Sequence, residues 1–439
     1  MKKLDLLFSK ICLATLLSLP IVFTSCSNDD EPVNAPKIAN PGIATDTVVA
    51  KGSSFAIEPQ LSNPSPAFYS WTMNGAEVSK EKNYTFSAAT PGAYNLTFSA
   101  SNEAGTDQTA YTINVRSYFG GFYVVNEGWF GHETGSVCYY GNKKWSNRLF
   151  QENNPGKTLG TTTTNGVISD NNIYFVSKDS PLLVETNLND FKQKSAIEGA
   201  TATGQGRNFC VINAQTGILT TAKGAYTVSL NPLGLGQQLS QANAECKDIT
   251  KAGKYIFIIS KNSILVYNAS NTTFVKVLKQ KATTGFAQSK DGSLWAANGN
   301  TLIRINTTDL TTENVSLPDG VEVYYNSTYT PSCLRASTTA NTLYFTKSDG
   351  QNSKNGYRYD IDTKTLTKIV SAPEGYSFYG SCLSVNPANG YVYATFIEDG
   401  WGDHSKNCKI LVVDGSSTTT IETIDYSGEF WFPSVIVFE

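Results

Sequence analysis

Two short segments of the chain carry the residues whose types and spacing suggest binding chemistry. Each has the pattern acidic residue, Gly, Trp, two further residues and His, and the segments end at His132 and His404, the two histidines of the chain. A neutral imidazole beside an indole and a carboxylate can hold a planar or metal-bearing ligand by stacking, hydrogen bonding or coordination. The alternative is that Gly-Trp only packs each loop and that each histidine faces solvent.

Motifs that would indicate catalysis are missing from the sequence. It has no GxSxG, HExxH or Walker-type segment, and the loop at 204–206 is not followed by the helix that a phosphate site requires. Adjacent carboxylates such as Glu398 and Asp399 do not define a glycosidase pair. The cysteines of the globular part lack CxxC spacing, so we expect buried apolar thiols rather than a zinc site. We predict a binding protein that is not an enzyme and has no metal or cofactor.

The composition of the 439-residue chain is typical of strands and tight turns. Aromatic residues make up 12% and charged residues 16% of it, there are 35 glycines, and methionine occurs twice. β-Branched and aromatic residues favour strands, whereas glycine and asparagine favour the turns between them. The net charge of −3, without an extended basic run, is not that of a nucleic-acid-binding surface. The composition therefore predicts an all-β protein with no nucleic-acid partner.

The first residues have the features of an export signal. Lys2 and Lys3 precede an apolar stretch from Ile11 to Phe23, which ends in small residues and Cys26. This arrangement resembles a bacterial lipobox, so we predict a signal peptide at 1–25 and a lipidated Cys26. A tether at 26–37 begins with an acidic run that resembles the surface-display signal of Bacteroidota lipoproteins. We therefore expect a lipid-anchored outer-membrane protein that faces the cell exterior; an ordinary signal peptide and a solvated linker are the alternatives.

Residues 38–117 have the short alternating strands of a β-sandwich. Asn74-Gly75 is a hairpin signal between two of them. The segments 69–75, with Trp71, and 90–105 resemble the central strand and the closing hairpin of PKD/Ig-like modules. The resemblance implies an N-terminal β-sandwich that acts as a spacer, and it says little about function. The predicted strands are Thr47–Val49, Ser54–Ile57, Phe68–Met73, Tyr84–Phe86, Tyr94–Ser101 and Gln108–Val115.

Residues 118–439 repeat an apolar strand that ends in a small polar turn, and the repeat occurs seven times, with 37 to 54 residues between turns. This period is that of a four-stranded propeller blade. A second apolar strand precedes each repeated strand, so the chain enters the repeat in mid-blade at Phe122. The apolar run Val435–Phe438 would supply the innermost strand of the first blade and remove two exposed edges. We predict a seven-bladed β-propeller closed by the C-terminal strand.

Two segments of this predicted propeller resemble one family. Val124–Phe130, with its Asn-Glu-Gly start, and Trp431–Pro433 in the closing strand are similar to YncE-like surface lipoproteins of Bacteroidota, the DUF5074-type group. The resemblance implies capture of a ligand for uptake, with a corrinoid as the ligand and a TonB-dependent transporter as the partner. It does not identify the ligand of this chain. The alternative is a surface protein-interaction or matrix component without a small ligand, and an envelope enzyme is the third interpretation.

Loop lengths single out one sector of the predicted propeller. The connections between second and third strands are long in blades one, six and seven, at 126–135, 347–356 and 398–407, and short in the middle blades. The blade-crossing loops of this sector are aromatic, and rigid aromatic side chains on a rigid scaffold commonly form binding surfaces. The alternative is that some of them cap the core. The predicted ligand-binding residues are Trp129, Phe130, His132, Tyr325, Tyr329, Tyr379, Trp401, His404 and Trp431.

Overall fold

A computed structural model describes residues 33–63, 67–325, 332–349, 353–428 and 430–439. The predicted signal peptide, Cys26 with most of the tether, and Tyr329 lie outside these ranges. The described residues form an all-β protein, in which the α-helix Leu149–Asn153 and the 3-10 helix Gly402–Lys406 have five residues each. Neither of these short helices, nor any other helix of the described ranges, is long and apolar enough to cross a membrane.

The N-terminal part is the predicted β-sandwich. Its larger sheet has five strands, and two-stranded sheets pack on it around a buried aromatic core that includes Trp71 and Tyr111. The Trp71 Nε1 atom donates a hydrogen bond to Glu81 O at 3.1 Å, so the indole is buried without losing its hydrogen bond. The strands are Ile38–Asn40, Asp46–Ala50, Ser54–Ile57, Gln60–Leu61, Phe68–Met73, Ala76–Ser79, Tyr84–Ser87, Gly92–Asn102 and Gly105–Arg116.

The rest of the described chain forms seven four-stranded antiparallel sheets, which are the blades of the predicted propeller. The sides of neighbouring blades pack through apolar side chains, as Phe257 of the fourth blade does with Leu294 of the fifth. In strand order from the axis outward, the blades are Pro433–Val437, Phe122–Asn126, Ser136–Gly141 and Lys144–Ser146; Thr163–Ser169, Asn172–Ser177, Leu183–Asn187 and Gln193–Ile197; Gly206–Asn213, Thr216–Thr221, Gly224–Leu230 and Leu233–Gln238; Cys246–Ala252, Tyr255–Ser260, Ser263–Asn268 and Phe274–Lys281; Thr284–Gln288, Leu294–Asn298, Thr301–Ile305 and Thr312–Ser316; Arg335–Ala336, Thr342–Thr346, Asn355–Asp360 and Thr365–Ser371; Tyr376–Val385, Val392–Glu398, Asn407–Val413 and Thr420–Ser427.

The C-terminal strand closes the ring, as the sequence predicts. Pro433–Val437 pairs antiparallel with Phe122–Asn126, and Val435 lies opposite Val125 in the register. Val435 and Ile436 are buried in the cores on either side of the first blade. The pairing leaves the first blade with no open inner edge, which is how a propeller avoids pairing with other chains.

One face of the propeller carries the long loops. Antiparallel order places the connection between the second and third strands of each blade on the same face as the crossing to the next blade; we call it the loop face. This connection covers residues 127–135 in the first blade, 347–354 in the sixth and 399–406 in the seventh. It is two residues long in the third, fourth and fifth blades. The predicted difference in loop length is confirmed.

Buried polar side chains link the inner strands of three neighbouring blades. Asn165 Nδ2 donates a hydrogen bond to Asn208 Oδ1 at 2.8 Å, and Asn208 Nδ2 donates to Asp248 Oδ1 at 3.4 Å. Gly285 N donates to the other oxygen of Asp248 at 3.3 Å. Burial raises the pKa of Asp248 to about 6. The loop face is therefore built on inner strands that hold each other in register through hydrogen bonds as well as apolar packing.

Arg116, the last residue of the sandwich, joins the two domains. Its buried guanidinium donates hydrogen bonds to Glu439 Oε2 at 2.5 Å and to Asn171 Oδ1 at 3.2 Å. The Tyr123 hydroxyl donates to Glu439 Oε1 at 3.0 Å. A buried ion pair needs such additional bonds to offset its desolvation. The contact ties the sandwich to the second blade and to the chain segment that follows the closing strand.

Candidate ligand-binding site

The first loop, which we define as residues 127–135, starts from a buried asparagine. Asn126 Oδ1 accepts a hydrogen bond from the hydroxyl of Tyr426 at 2.7 Å, and Asn126 Nδ2 donates to Ser136 Oγ at 3.3 Å. Tyr426 belongs to the outermost strand of the seventh blade. The asparagine of the Asn-Glu-Gly segment therefore holds the root of the first loop against the neighbouring blade.

Glu127 is the buried acid of the first loop. Burial raises the pKa of its carboxyl to about 7, against the opposing effects of the Lys178 charge and a hydrogen bond with Tyr379. Its Oε1 atom has no hydrogen-bond partner among the described residues. Burial also lowers the pKa of Lys178, the residue after the second strand of the second blade. A carboxyl in these surroundings changes its charge near neutral pH.

Gly128 is required by the shape of the first loop. Its φ is +78°, and a Cβ at this position would lie 2.4 Å from the backbone oxygens of Glu133 and Thr134. Positive φ and a close approach to backbone both exclude a side chain. The turn directs Trp129 onto two rings: the His132 imidazole at 3.8 Å and the Trp431 indole at 4.5 Å between centroids.

These contacts continue as a row of rings, which we call the aromatic row: Trp129, Trp431, Phe432 and Tyr379. The centroid distances are 4.5 Å from the first ring to the second, 6.2 Å to the third and 5.2 Å to the fourth. Trp129 is 38% exposed and Trp431 is buried. The row therefore runs from the surface to the Glu127 carboxyl, with which Tyr379 hydrogen-bonds.

The seventh loop, residues 399–406, holds its polar residues at the surface. His404 Nδ1 donates a hydrogen bond to Glu398 Oε2 at 2.8 Å, and Asn407 Nδ2 donates to the same oxygen at 2.7 Å. The bond from Asn407, together with that from His404, lowers the pKa of Glu398. Asp399 accepts a hydrogen bond from Lys354 Nζ at 2.7 Å. The Trp401 ring is 96% exposed.

The structure brings part of the predicted site together. Trp129, His132 and Trp431 form one cluster, and Tyr379 lies at the inner end of the same row. The two histidines have different partners: His132 stacks on Trp129, and His404 bonds to Glu398. Both lie on the loop face, and Lys406 of the seventh loop connects the two loops, because its Nζ lies 4.2 Å from the centre of the Trp431 ring. Phe130 is 70% exposed beside Trp129.

Tyr325 belongs to a second group on the loop face, which sequence reasoning did not find. Lys247 Nζ donates a hydrogen bond to the Tyr325 hydroxyl, and Arg207 Nη2 pairs with Glu245 Oε1 at 3.2 Å. Together with Lys178 we call these residues the charged cluster. They are single residues at the loop-face ends of strands in blades two to four, without a motif. The signal in the sequence is the charge itself, placed directly beside a buried apolar strand. Among the described residues, no group of three or more His, Cys, Asp or Glu side chains could hold a metal.

Comparisons with known proteins agree with this architecture. The family model described as domain of unknown function DUF5074 matches residues 120–439, and a PKD-like domain model matches residues 45–102. A quinonprotein alcohol dehydrogenase-like protein from Bacteroides thetaiotaomicron has a TM-score of 0.57 and 20% identity, over 92% of this chain and 99% of that chain. This likeness shows a shared fold across both domains.

Two further solved structures have TM-scores below 0.5. Dihydro-heme d1 dehydrogenase NirN, in complex with DHE, has a TM-score of 0.47 and 12% identity, over 78% of this chain and 72% of that chain. AztD from Citrobacter koseri has a TM-score of 0.46 and 10% identity, over 72% of this chain and 98% of that chain. No curated protein sequence matches the chain.

Proposed function

This chain belongs to the DUF5074 family, and from that premise we propose that it binds a flat, ring-bearing ligand on its loop face. The proposed site lies where the seventh and first blades meet. The observation that carries the proposal is the aromatic row, which runs from the exposed Trp129 to Tyr379 beside the Glu127 carboxyl. Rings that are already packed against each other bind a planar partner with little loss of conformational entropy.

Position and rigidity support this site over the rest of the loop face. Trp129 is held by His132 on one contact and by Trp431 on another, and the backbone turn at Gly128 fixes its direction. The third, fourth and fifth blades have two-residue connections at the equivalent positions, which leave no comparable shelf. Long loops placed on a rigid scaffold are where propellers and other β folds carry their binding residues.

We propose a corrinoid as the ligand of first choice. The support is the resemblance of Val124–Phe130 and Trp431–Pro433 to corrinoid-capturing lipoproteins. A corrinoid presents a broad macrocycle with carboxamide groups at its edge. The macrocycle suits the aromatic row, and an amide N–H suits the unpaired Oε1 atom of Glu127 at the inner end of that row.

The proposed role is capture at the cell surface rather than catalysis. A lipid anchor at Cys26 would hold the protein on the outer membrane, with the tether and the sandwich between membrane and propeller. A TonB-dependent transporter is the partner that would take over the ligand. Replacing Cys26 by Ala should release the protein from the membrane fraction. Intact cells in which a protease cannot reach the wild-type protein would contradict surface display.

The direct test of ligand class is thermal unfolding of the full chain, purified in detergent, with a panel of ligands. Ligand that binds only the folded state stabilises it by about 2.7 kcal/mol at a concentration one hundred times its Kd. We expect cyanocobalamin to raise the unfolding temperature more than haem or soluble glycans. A shift with a glycan alone would replace the corrinoid by a carbohydrate, and no shift with any member of the panel would contradict small-ligand capture.

A protein partner is the second candidate function, and the exposure of two aromatic rings favours it. Trp401 is 96% exposed and Phe130 is 70% exposed, and large exposed aromatic side chains are typical anchors of protein interfaces. If the transporter alone is the ligand, the double variant Trp401→Ala, Phe130→Ala should lose co-purification with it, while wild-type protein shows no thermal shift with cyanocobalamin.

A further inference from the structure

Two cysteines of neighbouring blades lie close together beneath the loop face. The Sγ atoms of Cys333 and Cys382 are 3.6 Å apart, and both side chains are buried. The two backbone segments are also adjacent, because Cys333 Sγ lies 3.5 Å from Gly380 O and Ser381 Oγ lies 3.5 Å from Ser332 O. Two thiols at this distance need only a small displacement to reach the S–S bond length of about 2.05 Å.

A buried guanidinium gives the two sulfurs unequal roles. Arg335 Nη1 donates hydrogen bonds to Ser332 O at 2.5 Å and to Leu334 O at 3.0 Å, which holds the cation beside the pair. The thiol of Cys382 hydrogen-bonds to Cys333, and with the Arg335 charge this lowers the pKa of Cys333. Burial raises the pKa of Cys382. Since the thiolate is the nucleophile in disulfide exchange, Cys333 is the attacking sulfur.

We propose that Cys333 and Cys382 are a modification site, at which an external disulfide oxidises them to a disulfide that joins the sixth and seventh blades. The Cys333 thiolate attacks one sulfur of the oxidant and expels the other as a thiolate. Cys382 then loses its proton and attacks Cys333 Sγ, which expels the second oxidant thiolate. The two protein thiols lose two electrons and two protons, and the oxidant disulfide becomes two thiols.

The bond would fix one wall of the loop face. Cys333 follows the blade-crossing segment that carries Tyr325, and Cys382 follows Tyr379 at the inner end of the aromatic row. The two cysteines are 49 positions apart, so their bond restricts the unfolded chain substantially. The other four described cysteines, Cys138, Cys210, Cys246 and Cys408, are free and lie on other blade strands.

The test is peptide mapping of the full chain, purified in detergent, after treatment with oxidised glutathione and alkylation of the remaining thiols. We expect one cross-linked peptide pair, containing Cys333 and Cys382, and alkylation of the other four. Cys382→Ala should trap Cys333 as a mixed disulfide with glutathione, whereas Cys333→Ala should leave Cys382 unmodified. Oxidised wild-type protein should unfold at a temperature about 5 °C higher, and dithiothreitol should reverse the shift.

Cys408→Ala is the matched control, because Cys408 is equally buried and lies in the seventh blade as well. It should form the same cross-link as wild type. The mapping of wild-type protein decides the question even if a variant does not fold. Alkylation of all six cysteines after oxidation, or a cross-link between any other pair, would overturn the proposal.

Discussion

The first and seventh loops share one residue pattern and differ in what surrounds it. In the first loop the acid, Glu127, is buried, and the tryptophan packs on Trp431. In the seventh loop the acid, Asp399, accepts a bond from Lys354 at the surface, and Trp401 is 96% exposed. The two loops lie at equivalent positions of adjacent blades, so the pattern alone does not decide its surroundings.

The neighbouring chain segments explain the difference. The first loop lies against the segment that leads into the closing strand, because Glu127 N donates a hydrogen bond to Phe432 O at 2.9 Å. The seventh loop instead forms the 3-10 helix Gly402–Lys406, which keeps Trp401 at its N-terminal end in solvent. The first loop is thus a packed junction that pre-organises the aromatic row, and the seventh loop supplies exposed rings that a ligand or partner would cover.

Removing residues 434–439 should have the largest effect on this difference. The deletion takes away the buried Val435 and Ile436 and opens an inner edge of the first blade. Burial of each such side chain contributes about 1.5–3 kcal/mol, so we expect a loss of more than about 5 kcal/mol. Thermal unfolding followed by circular dichroism measures it. A truncated chain that unfolds at the wild-type temperature would show that the closing strand does not support the first loop.

Alanine at the two equivalent glycines should separate the loops more directly. At Gly128 the added Cβ meets backbone oxygens at 2.4 Å, and at Gly400 it meets the side chain of His404 at 2.6 Å, which can move. We expect Gly128→Ala to lower the free energy of unfolding by about 3 kcal/mol and Gly400→Ala by about 1 kcal/mol. Gly131→Ala controls for positive φ alone, since nothing lies near its Cβ. Equal losses at Gly128 and Gly400 would contradict the description of the first loop as the packed one.

The pH dependence of stability should also distinguish the two acidic residues that bound these loops. The folded protein raises the pKa of Glu127 from 4.5 to about 7, so it binds this proton more tightly than the unfolded chain. Stability from this group is complete below about pH 4.5 and is lost as the pH rises to about 7, by roughly 3 kcal/mol. Glu127→Gln keeps an acceptor for Tyr379 and removes the ionisation, so it should be the more stable protein at pH 8.

Glu398→Gln is the opposite case and the control. The pKa of Glu398 is lowered, so its contribution exists above the unfolded pKa and is lost as the pH falls. Asp248, with its pKa raised to about 6, adds a slope of the Glu127 sign to every variant and cancels in the comparison. Chemical denaturation at pH 5 and pH 8 gives the required free energies. A wild-type slope in Glu127→Gln would show that Glu127 does not titrate in the folded state as described.

The smallest effects on stability should come from the histidines. Both are exposed, and the surface bond of His404 with Glu398 contributes little. We expect His132→Ala and His404→Ala to change the free energy of unfolding by less than about 1 kcal/mol each. In cyanocobalamin titrations, His132→Ala should weaken binding more than His404→Ala, because His132 stacks on Trp129 of the aromatic row. The reverse order would place the ligand on the seventh loop instead.

The sequence predicts the architecture better than the site. The phase of the repeat, which begins at Phe122 in mid-blade, is sufficient to predict that Val435 and its neighbours close the ring. The hairpin signal and Trp71 likewise predict the sandwich. These features depend on local patterns, and each blade repeats the same pattern.

The surroundings of Glu127 could not be predicted in the same way. Its partners, Lys178 and Tyr379, come from the second and seventh blades, and no local pattern connects residues so far apart in the chain. The charged cluster is similarly assembled from single residues of three blades. The aromatic row was predicted in part, through Trp129, Tyr379 and Trp431, because aromatic residues in loops are visible in the sequence. The contacts that order them depend on the closed ring.

Calorimetric titration of cyanocobalamin into three proteins tests the central claim that the loop face between the seventh and first blades binds the ligand. The proteins are wild type, Trp401→Ala and Phe68→Ala, the last being a control because Phe68 is 81% exposed on the sandwich. Neither substitution should change the unfolding temperature. We predict that wild type and Phe68→Ala bind equally and that Trp401→Ala binds at least about tenfold more weakly, a difference of about 1.4 kcal/mol. Equal affinity in all three proteins, or no binding to wild type, would contradict the account.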